Sequence, residues 1–224
     1  MLAIYAQQLN PLTVTMNTLF VIYGARLGGY LLKRELRSSS YNLLMAAEIK
    51  DGSDMVLPLK VAIWFVCALL YVCEVSPVLF RLENGAGIDA FGVIGAIVMV
   101  TGIALEAASD RQKQAAKVKN PKRFVDSGLF AIVRCPNYLG EILTWTGVFV
   151  SGFGVLVGPV QWIAAIFGWI CIVYIMLGGA RRLELRQNKN YGNDPEYQSY
   201  VKRVPIIFPN VPLYSVAKHK WLVG

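Results

Sequence analysis

Five apolar blocks divide this chain, at roughly 12–32, 61–80, 88–108, 138–157 and 160–178. Each is close to the ~20 residues that a helix needs to cross the hydrocarbon core of a bilayer. Soluble domains average about 25% charged residues. Here the share is 16% of 224 residues, and the deficit is concentrated in the blocks. The pattern predicts an all-α, polytopic integral membrane protein with about five spans, forming one domain over 1–224. The first block is the most polar, and only Gly158-Pro159 separates the last two.

The basic residues orient these spans. If the chain enters its first helix from outside, Lys33, Arg34, Arg37, Lys50 and Lys60 fall in one inside loop. Seven more, from Arg111 to Arg134, fall in a second, and eight, from Arg181 to Lys220, in the tail. Of 22 Lys and Arg residues, only Arg81 lies on an outside loop and Arg26 within a span. This segregation follows the positive-inside rule and predicts a cytoplasmic C-terminus. The membrane is the endoplasmic reticulum in a eukaryote or the inner membrane in a bacterium. The net charge of +8 is accounted for by topology beside an anionic leaflet, so no nucleic-acid partner is expected.

Smaller features fit the same frame. The first residues, "MLAIYAQQLNPLT", lack a basic n-region and a small-residue cleavage site, so a signal peptide is not expected. Cys67, Cys73, Cys135 and Cys171 have no metal-ligand spacing and read as buried structural thiols. Gly24-x-x-x-Gly28 and Gly154-x-x-x-Gly158 read as helix-packing pairs. The segment 36–58 is a polar loop. The third span continues as a basic helix to a break at Asn120-Pro121, and the fifth continues to a stop at Tyr191-Gly192. The Pro-punctuated "RVPIIFPNVP" that follows is expected to be extended.

Three polar stretches converge on the inside face: Glu106–Lys119, Arg134–Glu141 and Arg181–Tyr200. Positive-inside loops need Lys and Arg, but they have no need of Asp110, Asn137, Glu141 or Glu184. Carboxylates among cations at helix mouths describe an organised pocket suited to a ligand with phosphates and a ribose. Lys113, Arg182, Arg186 or Lys189 would hold phosphate, and an Arg would do so in bidentate fashion. Asp110, Glu141 or Glu184 would accept from ribose hydroxyls or a carboxamide. Tyr138, Tyr191 and Tyr200 would stack on or bond to a base. The sequence contains neither G-x-G-x-x-G nor a P-loop.

The stretch "GLFAIVRCPNYLGEILTWTG" (128–147) resembles the signature of the membrane steroid 5α-reductase and sterol reductase-like family, close to R-H-P-N-Y-x-G-E before a Trp-containing span. "SDRQK" (109–113) is similar to that family's D-x-Q-K. "LELRQNKNYG" and "EYQSYVKRVP" resemble its C-terminal Glu, Tyr-Gly and Tyr…Val-Pro elements, and "YGARLGGYLLKR" (23–34) resembles a W-G-x-R-L-x-x-Y-L element. The resemblance runs from about residue 20 to 212. It implies NADPH bound by Asp110, Lys113, Arg134, Asn137, Tyr138, Glu141, Arg182, Glu184, Tyr191 and Tyr200. It also implies hydride transfer to an activated C=C of a lipophilic substrate. A tyrosine suits the acid role in an apolar cavity because it donates a hydrogen bond while neutral. Tyr30 and Tyr41 are the candidates, with Arg26 as an intramembrane orienting charge.

Two departures stand against the family pattern. Cys135 occupies the place of the family's His, and no acidic residue before residue 12 matches the one that acts near the substrate carbonyl in reductase members. A second reading is an S-adenosylmethionine-dependent carboxyl methyltransferase of the isoprenylcysteine type, which shares R-H-P-x-Y-x-G. Asn137, Glu141 and the cation-rich surroundings of Glu184 favour the reductase. A third is a non-catalytic relative that retains the fold. Expected partners are a lipophilic small molecule and membrane lipid, while the sequence says nothing of oligomeric state.

Overall fold

The computed structural model describes residues 6–37 and 55–222. Among them, six α-helices follow one another: α1 (Pro11–Arg37), α2 (Leu57–Glu83), α3 (Ala90–Lys119), α4 (Pro136–Ser151), α5 (Gly158–Tyr191) and α6 (Pro195–Arg203). The described residues contain no strand, and the fold is all-α as expected. Three helices, α2, α3 and α5, are each long and apolar enough to cross a membrane, the make-up of a polytopic membrane protein. At about 1.5 Å per residue, the 34 residues of α5 reach about 51 Å. A hydrocarbon core of about 30 Å leaves its last turns outside, where Arg181 to Lys189 lie.

Helix ends follow local chemistry. Pro sits in the first turn of α2, α4, α5 and α6, where its missing N–H leaves no bond unmade. Asp89 caps α3 by accepting from the Gly92 N–H at 2.9 Å. The expected stops at Asn120-Pro121 and Tyr191-Gly192 are where α3 and α5 end. No helix forms over 204–213.

One end of the bundle is fastened by Arg81. Sequence placed it on an outside loop, but α2 runs on to Glu83 and encloses it completely. It donates to the Ser151 carbonyl at 2.7 Å and the Gly87 carbonyl at 2.6 Å, and it pairs with Asp89. The α2–α3 turn is thereby tied to the end of α4. Asn10 joins α1 to the same turn through the Ala86 carbonyl at 2.8 Å.

Along the bundle, α3 and α4 pack backbone to backbone. A Cβ placed on Gly140 would lie 2.7 Å from the Glu106 nitrogen and 2.8 Å from the Gly102 oxygen. The glycines singled out from sequence do something else. A Cβ on Gly24 or Gly28 would meet nothing within 4 Å, so this face of α1 is open. Gly154 sits at φ +80° in the turn after α4, and Gly158 at φ +69° where α5 begins. The thiol reading also needs correction: Cys135 alone is buried, Cys73 and Cys171 are partly covered, and Cys67 lies on the exposed apolar surface of α2.

The chain after α6 folds back on the other end of the bundle. Ile206, Ile207, Val216 and Leu222 bury themselves with Cys135, Ile142 and Ala180. Phe124, Tyr197, Tyr200 and Val204 form a second small core beside them.

Candidate functional site

Two polar regions meet at this second end. The deeper one lies between α1, α3 and α4. Its centre is Tyr23, buried and edge-on to Trp145, whose hydroxyl donates to Glu141 Oε1 at 2.8 Å. One turn along α1, Arg26 pairs with Glu106 at 2.5 Å and with Asp110 at 3.2 Å. Glu106 and Asp110 are themselves one turn apart on α3 and both are buried. Three carboxylates and a guanidinium thus share an interior that helix packing would otherwise fill with apolar groups. Irregular polarity of this kind is tolerated inside a membrane protein where it faces a cavity or a partner.

Two polar atoms here are buried without a hydrogen-bond partner, Asn137 Oδ1 and Glu106 Oε2. Native interiors pair nearly all such atoms, so a group of them marks a place where something else bonds. Asn137 stands in the first turn of α4, two residues after Cys135 and four before Glu141.

The second region is a cavity of about 440 Å³ among α3, α5 and the segment between α3 and α4. Lys113, Lys117, Phe124, Arg134, Arg186 and Tyr191 line it. Lys113 follows Asp110 by one turn of α3, so the two regions adjoin. Lys117 donates to the Tyr191 hydroxyl at 3.1 Å and to the Arg123 carbonyl at 2.6 Å. The buried Nε of Arg134 has no partner.

The site residues expected from sequence fall into distinct places. Lys113, Arg134 and Tyr191 line the cavity, Arg182 is exposed on α5, and Tyr138 is half-buried with its ring against Gly179. Asp110 and Glu141 are engaged with α1. Glu184 and Tyr200 hold protein. Glu184 Oε1 pairs with Arg134 at 3.0 Å, and its Oε2 accepts the Val216 N–H at 2.8 Å. Arg134 also donates to the Tyr214 carbonyl, so the pair clamps the C-terminal segment. The Tyr200 hydroxyl donates to the Phe130 carbonyl at 2.7 Å, and burial pushes its acidity constant up. Of the expected acids, Tyr30 is half-buried on the α1 face that carries Tyr23 and Arg26, and Tyr41 lies outside the described residues.

Sequence reasoning missed Tyr23, although its spacing to Arg26 and Tyr30, three and seven residues on, was a helical signal. Cys135, in the place of the family's histidine, packs against the tail, and its backbone N–H donates to the Ile206 carbonyl at 2.8 Å. Burial pushes its thiol up to about 12, against the pull of Arg134 and Lys113. At neutral pH it is therefore an inert packing group, without the proton chemistry of an imidazole.

An all-helical membrane bundle with a carboxylate-and-tyrosine interior opening beside a cation-lined cavity defines the class of protein. The chain belongs to the family described as "Protein of unknown function (DUF1295)", which matches residues 1–204 and is steroid 5α-reductase-like. Over 57 residues it is 40% identical to the protein named "Steroid 5-alpha-reductase DET2" from Arabidopsis thaliana. That match covers 25% of this chain and 22% of the plant protein, so it spans about a fifth of the relative's length. No solved structure matches the chain.

Proposed function

We propose that this protein is an NADPH-dependent reductase of a C=C bond in a lipophilic, carbonyl-conjugated substrate, with Tyr23 as the acid. The observation that carries this reading is the Tyr23–Glu141 hydrogen bond of 2.8 Å inside the bundle, with the unpaired Oδ1 of Asn137 one turn before Glu141 on α4. Tyr23 takes the role that sequence alone offered to Tyr30 or Tyr41, because it is buried among α1, α3 and α4 with its hydroxyl on Glu141 and its ring edge-on to Trp145.

The residues present fit the cofactor. Lys113, Lys117, Arg134 and Arg186 suit its phosphates, with the orphaned Arg134 Nε as one free donor. Tyr191 offers a ring, and the unpaired Oδ1 of Asn137 would accept from the carboxamide. When bound, NADPH supplies the hydride. The protein's share is to orient and to manage one proton. A substrate carbonyl that replaces Glu141 as acceptor takes a hydrogen bond from the Tyr23 hydroxyl. As hydride adds to the β-carbon, negative charge grows on that oxygen and the Tyr23 proton moves onto it. The resulting enol returns its O–H proton to Tyr23 as its α-carbon takes a proton from solvent, which gives the ketone and restores the tyrosine. Glu141, left beside the tyrosinate oxygen, orients the ring. Arg26, between Glu106 and Asp110, keeps net negative charge near the site low. Glu184 and Tyr200 act on the cofactor indirectly, by docking the tail that holds Arg134.

We read the chain as one domain with its cation-rich end in the cytoplasm. Gathering of Lys113, Lys117 and Arg186 at one end, and enclosure of Arg81 at the other, supports that orientation. The alternatives are separated by melting the detergent-purified protein with NADPH, NADH and S-adenosylmethionine, since a ligand of the folded state raises the midpoint. Stabilisation by NADPH, followed by loss of its absorbance with 4-cholesten-3-one, is expected. Stabilisation by S-adenosylmethionine alone would overturn the reading in favour of a methyltransferase.

A further inference from the structure

Near its end the chain carries a run that the reaction leaves unused, Lys218-His219-Lys220-Trp221. All four side chains are exposed, Trp221 by 63%, whereas Val216 and Leu222 on either side of them are buried. The backbone beneath the run is fixed to the flank of α5. The Tyr174 hydroxyl donates to the Trp221 carbonyl at 2.6 Å. The Arg181 guanidinium donates to the Ala217 carbonyl at 3.2 Å and to the Leu222 carbonyl at 3.3 Å. An arginine at the end of a span ordinarily reaches for water or headgroups. Here it holds the tail, and the side chains of the tail face outward in its stead.

The height of this run decides what it meets. Counting about 1.5 Å per residue from Gly158, Tyr174 lies about 24 Å along α5 and Arg181 about 35 Å. A hydrocarbon core of about 30 Å therefore ends between the two groups that hold the run in place. Within the core, α5 exposes Phe167 and Ile170, a surface for acyl chains. Trp221 lies against Tyr174 with ring centres 6.1 Å apart, at the boundary where an indole is best accommodated. Lys218 and Lys220 flank it. No acidic residue follows Glu196 up to Gly224, and neither lysine is in an ion pair among the described residues. Two ammonium groups and an indole at the edge of the hydrocarbon complement an anionic headgroup.

We infer that Lys218, Lys220 and Trp221 form a docking surface for the anionic phospholipids of the bilayer, and that these lipids hold the tail on α5. A soluble polyanion would answer the lysines but not an indole laid beside a lipid-facing helix. The inference is independent of the reductase reading, yet it bears on the same site. The segment that the lipids grip also supplies the Tyr214 carbonyl to Arg134 and the Val216 N–H to Glu184. Lipid that holds the tail therefore holds one wall of the cation-lined cavity.

The test places the full-length protein in nanodiscs of phosphatidylcholine, alone or with about 30% phosphatidylserine, and follows amide hydrogen exchange over 216–222. An anionic surface adds about fivefold protection per lysine, so exchange should be about 25-fold slower with phosphatidylserine. About 0.5 M salt should erase the difference. Lys218→Gln combined with Lys220→Gln should erase it too, at an unchanged melting temperature. Phosphatidylcholine carrying a nitroxide near its headgroup should quench the fluorescence component that Trp221→Phe removes. Equal exchange in the two kinds of disc would overturn the proposal. Slowing that persists in the double variant would overturn it as well, since the lysines would then not be the groups that bind. An indole component left unquenched would place Trp221 in water and rule out the docking surface. Slowing by polyglutamate or a single-stranded oligonucleotide, but not by phosphatidylserine, would assign the surface to a soluble polyanion instead.

Discussion

Gly140→Ala is the sharpest test of how this bundle is held. The added Cβ would lie 2.7 Å from the Glu106 nitrogen, 2.8 Å from the Gly102 oxygen and 2.9 Å from the Glu106 Cβ. Ordinary contact begins at 3.4 Å, so the two backbones must part by 3.4 − 2.7, about 0.7 Å. Backbone cannot rotate out of the way as a long side chain does. Overpacking of this kind costs about 1–3 kcal/mol. For a chain of this size that is a fall of about 2–12 °C in the melting midpoint. The controls are Gly24→Ala and Gly28→Ala, at helical positions where the new methyl meets nothing within 4 Å. There alanine should leave stability unchanged or raise it by up to about 1 kcal/mol. The assay is fluorescence-monitored melting of detergent-purified variants side by side. Equal midpoints for Gly140→Ala and Gly24→Ala would refute the close α3–α4 approach, and with it the geometry that brings Glu106 and Glu141 together.

Other perturbations separate chemistry from scaffold. Tyr23→Phe should lower enone reduction by about 10²–10⁴-fold while leaving NADPH stabilisation in place; retained turnover would move the acid elsewhere. Asp89→Asn leaves Arg81 enclosed with two carbonyl acceptors and should cost about 1.5–3 kcal/mol, read as a lower melting midpoint. Glu184→Leu frees the Val216 N–H and leaves Arg134 without its carboxylate, so trypsin should cut at Lys218 or Lys220 much faster than in wild type. Cys135 should resist maleimide in the folded protein and react on unfolding. Burial raises its acidity constant from 9.0 to about 12, so above pH 9 the unfolded chain has lost a proton that the folded chain retains. Its stabilising contribution is complete below pH 9 and fades between 9 and 12, and Cys135→Ala should flatten that part of the stability–pH curve.

The helices were legible in the sequence because their signals are local. Apolar blocks of membrane-spanning length, Pro136 at a first turn, and the breaks after Lys119 and Tyr191 all act within a few residues. Which glycines hold the bundle was not legible. Gly24-x-x-x-Gly28 and the α3–α4 contact glycines look alike as sequence, and only the facing helix distinguishes them. Arg81 misled for a related reason: hydropathy ends the span near residue 80, whereas the partners that enclose the side chain come from Ser151, Gly87 and Asp89.

The site shows the same limit more closely. Asp110, Glu141 and Glu184 were recognisable as carboxylates that topology does not require. Their roles diverge because each meets a partner far along the chain. Tyr23 lies 118 residues from Glu141, Arg26 84 from Asp110, and Glu184 32 from Val216. The first two partnerships place α1 over the interior, and the third places the tail beneath it. A carboxylate that closes the floor and a carboxylate that holds a tyrosine are the same letter in the sequence. Closing the floor is nonetheless part of the chemistry. Arg134 lines the cavity only while Glu184 and the Tyr214 carbonyl fix its guanidinium, leaving Nε free to meet a ligand. Loss of Glu184 should therefore weaken nucleotide binding through Arg134, even though Glu184 itself bonds only to protein.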